Sequence, residues 1–106
     1  MAQIIWTEPA LNELNEIAEF IALDKFTAAQ NLVQPVFDRV DQLKGQPKSG
    51  RKPPELSRNS IYREVVVGPC RVFYRTEKSK IIIIHVMRSE RILRKYILEE
   101  RAKVSS

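Results

Sequence analysis

One cysteine, one histidine and three glycines are all that this chain of 106 residues holds of those types, and each scarcity closes off a class of chemistry. A lone thiol, Cys70, can form no internal disulfide, so a reducing compartment suits the chain. One His and one Cys without ligand-spaced carboxylates give no support for a metal centre, and neither a metal nor a cofactor is expected. Gly45 and Gly50 precede no helix carrying Lys-Ser/Thr, which removes a nucleotide-cradling loop. The apolar run Ile81 to Ile84 is far too short to span a bilayer, and no basic segment joins a long apolar one near the N-terminus. The expectation is a soluble, cytoplasmic protein with no membrane partner.

Cations, by contrast, are in excess. Eighteen Lys and Arg against thirteen Asp and Glu give a formal charge of +5 and a pI near 9.6, which favours anionic partners such as nucleic acid or an acidic protein segment. Acids concentrate toward the N-terminus and the basic side is the C-terminal half, from Lys44 onward. The length fits one domain, residues 1–106, with a single core.

In chain order, Gln3 to Thr7 is a short β-like run that stops where Thr7-Glu8-Pro9 starts a helix. Leu11, Leu14, Ile17, Ala18 and Ile21 then fall at helical spacing on one face, with acids elsewhere. Asp24-Lys25 turns the chain, and Thr27 with Gln30 fits a capping box opening a second helix that runs to about Lys44. Its buried stripe is Ala29, Leu32, Val33, Val36, Phe37, Val40 and Leu43. Pro35 predicts a kink or a break, because an interior proline costs roughly 3 kcal/mol. A loop rich in Gly, Pro, Ser and charge follows from Gly45 to Ser60, with Leu56 plugging back toward the core.

Tyr62 to Arg75 reads as a β-hairpin about Gly68-Pro69. Alternation puts Arg71, Phe73 and Arg75 on one face and Val72 and Tyr74 on the other, so the hairpin is expected to present a rigid basic surface. Ile81 to Met87 is apolar on both faces and should lie centrally in the sheet. A closing helix from Arg91 to about Arg101 is expected, with Ile92, Leu93, Tyr96 and Ile97 on one side. The fold class is α+β in two layers: an N-terminal strand and an antiparallel helical hairpin packed on an antiparallel β-sheet (β-α-α-β-β-β), with a short C-terminal helix.

The ordered set of Trp6-Ala10-Leu11, Leu43 to Pro47, Ser49-Gly50-Arg51, Glu55-Leu56, Tyr62-Arg63-Glu64, Cys70 to Arg75 and His85 to Arg88 running into Arg91 resembles the RelE/ParE superfamily of bacterial toxin–antitoxin toxins. The Gly50-Arg51 loop and the long helical hairpin look closer to the ParE branch. The resemblance implies a growth-arresting toxin of a plasmid-stabilising type, held in a hetero-oligomeric complex by a cognate antitoxin that is acidic, partly disordered and DNA-binding. It also implies one of two activities. ParE-like members inhibit DNA gyrase without cutting nucleic acid; RelE-like members are ribosome-dependent mRNA endoribonucleases.

For the first activity the expected target-binding residues are Arg63, Arg71, Arg75, Arg88 and Arg91. The second needs a base, an acid and cations for the phosphorane. Arg71 falls where the nuclease relatives carry a phosphate-binding arginine, with Arg63 or Arg88 as a second cation, Glu64 or His85 as base and Tyr96 as acid. Against this, Arg71 can simply pair with Glu64 or Glu77, and His85 sits in an isoleucine run that suits a hydrogen-bonded core residue. Arg88 also stands where those relatives place a histidine, lysine or tyrosine. Antitoxin contacts are expected at Phe20, Ala22, Ile92, Tyr96 and Ile97, offered to a partner segment that folds on contact as a helix or an added strand.

Overall fold

Apolar side chains on both faces of two adjacent strands decide the architecture. The computed structural model describes residues 2–105. Strand β1 (Gln3–Trp6) leads into helices α1 (Glu8–Ala22) and α2 (Phe26–Asp41), the latter ending in a 3-10 turn, Gln42–Lys44. After the loop come strands β2 (Tyr62–Val67), β3 (Cys70–Glu77) and β4 (Lys80–Arg88), and then helix α3 (Lys95–Ser105). The sheet order is β1-β4-β3-β2, which places the isoleucine-rich β4 in the interior of the sheet as its two-sided hydrophobicity requires.

The helical hairpin covers one face. Leu14 and Ile17 of α1, with Leu32, Val36 and Val40 of α2, pack against Val65, Val72, Tyr74, Ile81 and Ile83. Each such fully buried aliphatic is worth about 1.5–3 kcal/mol. Trp6 and Phe37 meet edge to face, 4.9 Å between ring centroids.

The opposite face is not bare. Phe73, Ile82, Ile84 and Met87 form a second cluster with Tyr62, Leu93 and Leu98, and Leu56 packs on it. The molecule therefore has three layers where two are expected, because strands apolar on both sides need cover on both.

Four further expectations are corrected. The sheet is mixed, since β1 runs parallel to β4 from Gln3↔Lys80 to Trp6↔Ile83. Its direction is fixed where Thr7 donates to the Ile83 carbonyl through both its N–H (3.2 Å) and its hydroxyl (2.7 Å). The same Thr7 oxygen caps α1 by accepting from the Ala10 N–H. No capping box opens α2, because Lys25 is its N-cap and Thr27 already lies in the first turn. Nor does Pro35 break α2, which runs continuously from Phe26 to Asp41; Pro35 and Asn31 are both exposed, so water can meet the carbonyl that the proline leaves without a helical donor. The closing helix starts at Lys95 rather than Arg91, for a reason that lies in the site.

The pairing of β3 with β4 slips between Phe73 and Tyr74, whose partners are His85 and Ile83. The slip leaves Ile84 as the extra residue of a β-bulge. Ile84 belongs to the second cluster and His85 stacks on Phe73 of that same cluster at 5.6 Å, so two consecutive residues share a face. Val86 returns to the helical side.

The Gly45–Ser60 loop is held as tightly as a strand. The Tyr74 hydroxyl donates to the Pro47 carbonyl (2.7 Å) and accepts from the Gly50 N–H (3.0 Å), while Arg51 and Glu64 exchange both backbone hydrogen bonds. A β-carbon on Gly50 would stand 2.7 Å from Tyr74 Cε1 and 2.8 Å from the Glu64 carbonyl oxygen. Gly50→Ala should therefore lose about 1–3 kcal/mol of stability through overpacking, read as a thermal midpoint lowered by roughly 5–20 °C.

Candidate functional site

Two features meet where β4 ends: a buried arginine clamp and an open groove. The clamp centres on Arg71, which is only 4% exposed. Its Nε donates to Glu64 Oε1 (3.0 Å), and its Nη1 to Glu55 Oε2 (2.7 Å) and to the Arg91 carbonyl (3.0 Å). Its Nη2 donates to Glu55 Oε1 (2.7 Å) and Glu64 Oε2 (2.6 Å). A guanidinium has five N–H groups, and all five are used. Glu64 also receives the Arg51 guanidinium at 3.0 Å, so the buried carboxylate faces two cations. Hydrogen bonds to Glu55 and then Glu64 raise the Arg71 pKa above its already high value.

Glu55 extends the clamp into the C-terminal segment by accepting the Leu93 N–H at 3.0 Å. The Arg91 carbonyl and the Leu93 N–H are thus committed to the sheet and the loop, and this keeps residues 91–93 out of the closing helix. The Arg71 hydrogen bonds, followed by the opposing effect of burial and then the Leu93 N–H, leave the Glu55 pKa lowered from 4.5 to about 2.

The groove lies beside the part of β4 that outruns β1. It has a volume of about 1080 Å³; its apolar lining includes Ile17, Phe20, Ile92, Tyr96 and Ile97, its arginines are Arg88, Arg91 and Arg94, and its acids are Glu13, Glu16 and Glu90, with His85 to Met87 of β4 beside them. Val86 turns its N–H to this open edge, where Glu13 accepts it at 3.1 Å. By the two-residue alternation of an antiparallel ladder, the Val86 carbonyl and the Arg88 N–H point the same way. Glu13 also takes Arg101 at 3.1 Å and lies 2.8 Å from His85 Nδ1. Burial raises the Glu13 pKa, but the His85 and Arg101 hydrogen bonds outweigh it and hold the carboxyl below its usual range. Phe20 is 57%, Ile92 79% and Tyr96 57% exposed, an apolar trio interleaved with arginines. The Arg88 guanidinium lies 4.8 Å over the Phe20 ring and pairs with Glu90 at 2.6 Å.

The residues singled out from sequence divide accordingly. Phe20, Ile92, Tyr96 and Ile97 converge on the groove together with Arg88 and Arg91. The other arginines do not join them, and the expected basic display on the hairpin is not formed. Arg75 is buried and paired with Glu77. Arg63, across the ladder from Tyr74, is on the other face of the sheet and donates to the Gly50 carbonyl at 2.8 Å. His85 is a buried, hydrogen-bonded residue, and Cys70 is a buried thiol whose pKa burial pushes up to about 11. Glu13, Glu55 and Arg94 escaped sequence reasoning. Only Glu55 carried a signal, a carboxylate in a loop otherwise crowded with cations.

The fold of this chain is similar to that of chains in two solved toxin–antitoxin structures. The structure titled the chromosomal ParDE toxin–antitoxin system from P. aeruginosa aligns with a TM-score of 0.71 and 22% identity, covering 85% of this chain and 98% of that one. The RelBE2 toxin–antitoxin complex from Mycobacterium tuberculosis aligns at 0.54 and 19%, covering 82% and 96%. No curated protein sequence matches. The family described as the ParE toxin of the type II toxin–antitoxin system parDE matches residues 4–93, and the chain belongs to that family, within the RelE/ParE superfamily and on its ParE side.

Removing one partner of a buried ion network strands the others, so Arg71→Ala should cost about 3–5 kcal/mol in urea unfolding. Arg88→Ala, at the surface, should stay within about 0.5 kcal/mol. Because the folded Glu55 pKa lies below its unfolded value, its contribution is present above pH 4.5 and is lost as pH falls toward 2. Glu55→Gln should therefore flatten the decline in stability across that window, as measured by urea titrations at successive pH values.

Proposed function

We propose that this ParE-family chain inhibits DNA gyrase in the cytoplasm as a non-enzymatic poison, and that a cognate antitoxin neutralises it by filling the groove beside β4. The observation that carries the reading is the saturation of Arg71. A phosphate-binding arginine must donate to the phosphorane oxygens, and here every donor already has an acceptor inside the protein. Of the other cations considered for cleavage, Arg63 lies on the opposite face of the sheet from Arg71 and Arg88 is paired with Glu90. The candidate base His85 is turned to Glu13. This weighs against ribosome-dependent mRNA cleavage.

What the groove offers suits an antitoxin. Its open strand edge can accept an added strand, its exposed apolar trio can anchor side chains, and Arg91 and Arg94 can pair with acids. A partly disordered, acidic segment gains all three on folding into it. Arg88 and Arg91 are also the two expected gyrase contacts that remain at the surface, so a filled groove would hide them. Neutralisation then follows from competition for one site.

The test sets both targets side by side. Purified protein should block gyrase supercoiling, and Arg91→Glu with Arg94→Glu should weaken that block at least about tenfold, the equivalent of 1.4 kcal/mol. Translated mRNA should stay uncut by primer extension. Undisturbed gyrase at stoichiometric excess, or message cuts that vanish in Arg71→Lys, would overturn the proposal.

A further inference from the structure

The net charge of the protein is not spread over it. Residues 39–63 hold seven of the eighteen Lys and Arg but only two acids, Asp41 and Glu55, an excess of five that equals the net charge of the entire chain. The rest of the sequence is balanced.

The fold gathers part of this excess at the β2 edge of the sheet, with β3 and β2 lying between it and the groove beside β4. Arg51 extends that edge by its two backbone hydrogen bonds to Glu64, and its side chain is 59% exposed. Arg63 reaches Gly50, and the charges of Arg63 and Arg39 are both felt at the Tyr74 hydroxyl that holds Gly50 and Pro47. Lys48 is exposed between them in sequence, next to Pro47. Arg39 is borne on α2, Arg63 on β2, and Lys48 and Arg51 on a loop pinned to the sheet at Pro47, Gly50 and Arg51, so little backbone ordering entropy is left to lose on binding.

The chemistry of the patch narrows its partner. The one aromatic residue in this segment, Tyr62, is buried, so the patch lacks the stacking platforms by which single strands and RNA loops are held. It also lacks the buried apolar anchors that carry protein interfaces; the segment's exposed large hydrophobic side chain is Ile61. Guanidinium and ammonium groups carried by a helix, an edge strand and a pinned loop suit a regular array of phosphates.

We propose that Arg39, Lys48, Arg51 and Arg63 form a second interaction surface that binds the phosphate backbone of duplex DNA without regard to sequence. This goes beyond the gyrase and antitoxin reading and does not depend on it. The occupant is the backbone alone, since nothing in the patch is shaped to read bases.

The test is the salt dependence of binding of the full chain to a short labelled duplex of arbitrary sequence, followed by fluorescence anisotropy between about 50 and 200 mM salt. Each phosphate met contributes about −0.9 to the slope of log K against log salt, so four contacts predict roughly −3 to −4. Arg39→Gln with Lys48→Gln should reduce that slope by about 2. Neither side chain makes a hydrogen bond or ion pair among the described residues, so the fold should survive, and Lys48→Gln alone should reduce the slope by about 1. Arg91→Gln with Arg94→Gln, in the groove, should leave it unchanged. The proposal fails if the platform variants keep the wild-type slope, if the groove variant lowers it equally, or if single-stranded RNA binds more tightly than the duplex. Gyrase and antitoxin are absent from this assay, so its failure leaves the gyrase reading standing.

Discussion

Five N–H groups on one side chain, each with an acceptor inside the protein, tie four separate parts of the chain together. Arg71 comes from β3, Glu64 from β2, Glu55 from the loop, and the carbonyl of Arg91 from the segment after β4. An unpaired guanidinium at this depth would cost several kcal/mol, and so would either carboxylate alone. The network is therefore tolerable only when complete. Completeness fixes where the loop and the C-terminal segment must lie.

The groove follows from that placement. With the backbone of residues 91–93 drawn inward by Arg71 and Glu55, Ile92 and Arg91 turn outward and Leu93 turns into the second cluster. The short β1 leaves the far half of β4 open, and Glu13 and Arg101 occupy only its near end, at Val86 N–H and the Ile84 carbonyl. An edge strand with unpaired backbone groups is an aggregation hazard in a lone protein. Here it is flanked by charge and suits a partner that adds a strand.

Much of the fold was legible because it rests on periodicity. The stripes of α1 and α2, the hairpin about Gly68-Pro69 and the two-sided apolar run of β4 each follow from side-chain spacing that sequence displays directly. The third layer was not, since Leu93 and Leu98 read as ordinary helix positions and only the clamp decides that the helix starts late. The parallel setting of β1 depends on Thr7 meeting Ile83, a contact 76 positions apart. In the site, Phe20 was readable as an apolar residue offered outward by α1, and Ile92, Tyr96 and Ile97 as one apolar side of the closing segment. The fate of the arginines was not: alternation placed Arg71 and Arg75 on a common face, but nothing local told whether that face met water or carboxylates.

The clamp is tested most directly by the side-chain NMR signals of Arg71. In a guanidinium held by five hydrogen bonds, rotation about the Cζ–N bonds is arrested, so its Nη protons should give separate, slowly exchanging signals. Those signals should not move when inorganic phosphate is added. A single averaged Nη signal, or one that shifts with phosphate, would mean that Arg71 has a donor free for an outside anion and would contradict the account.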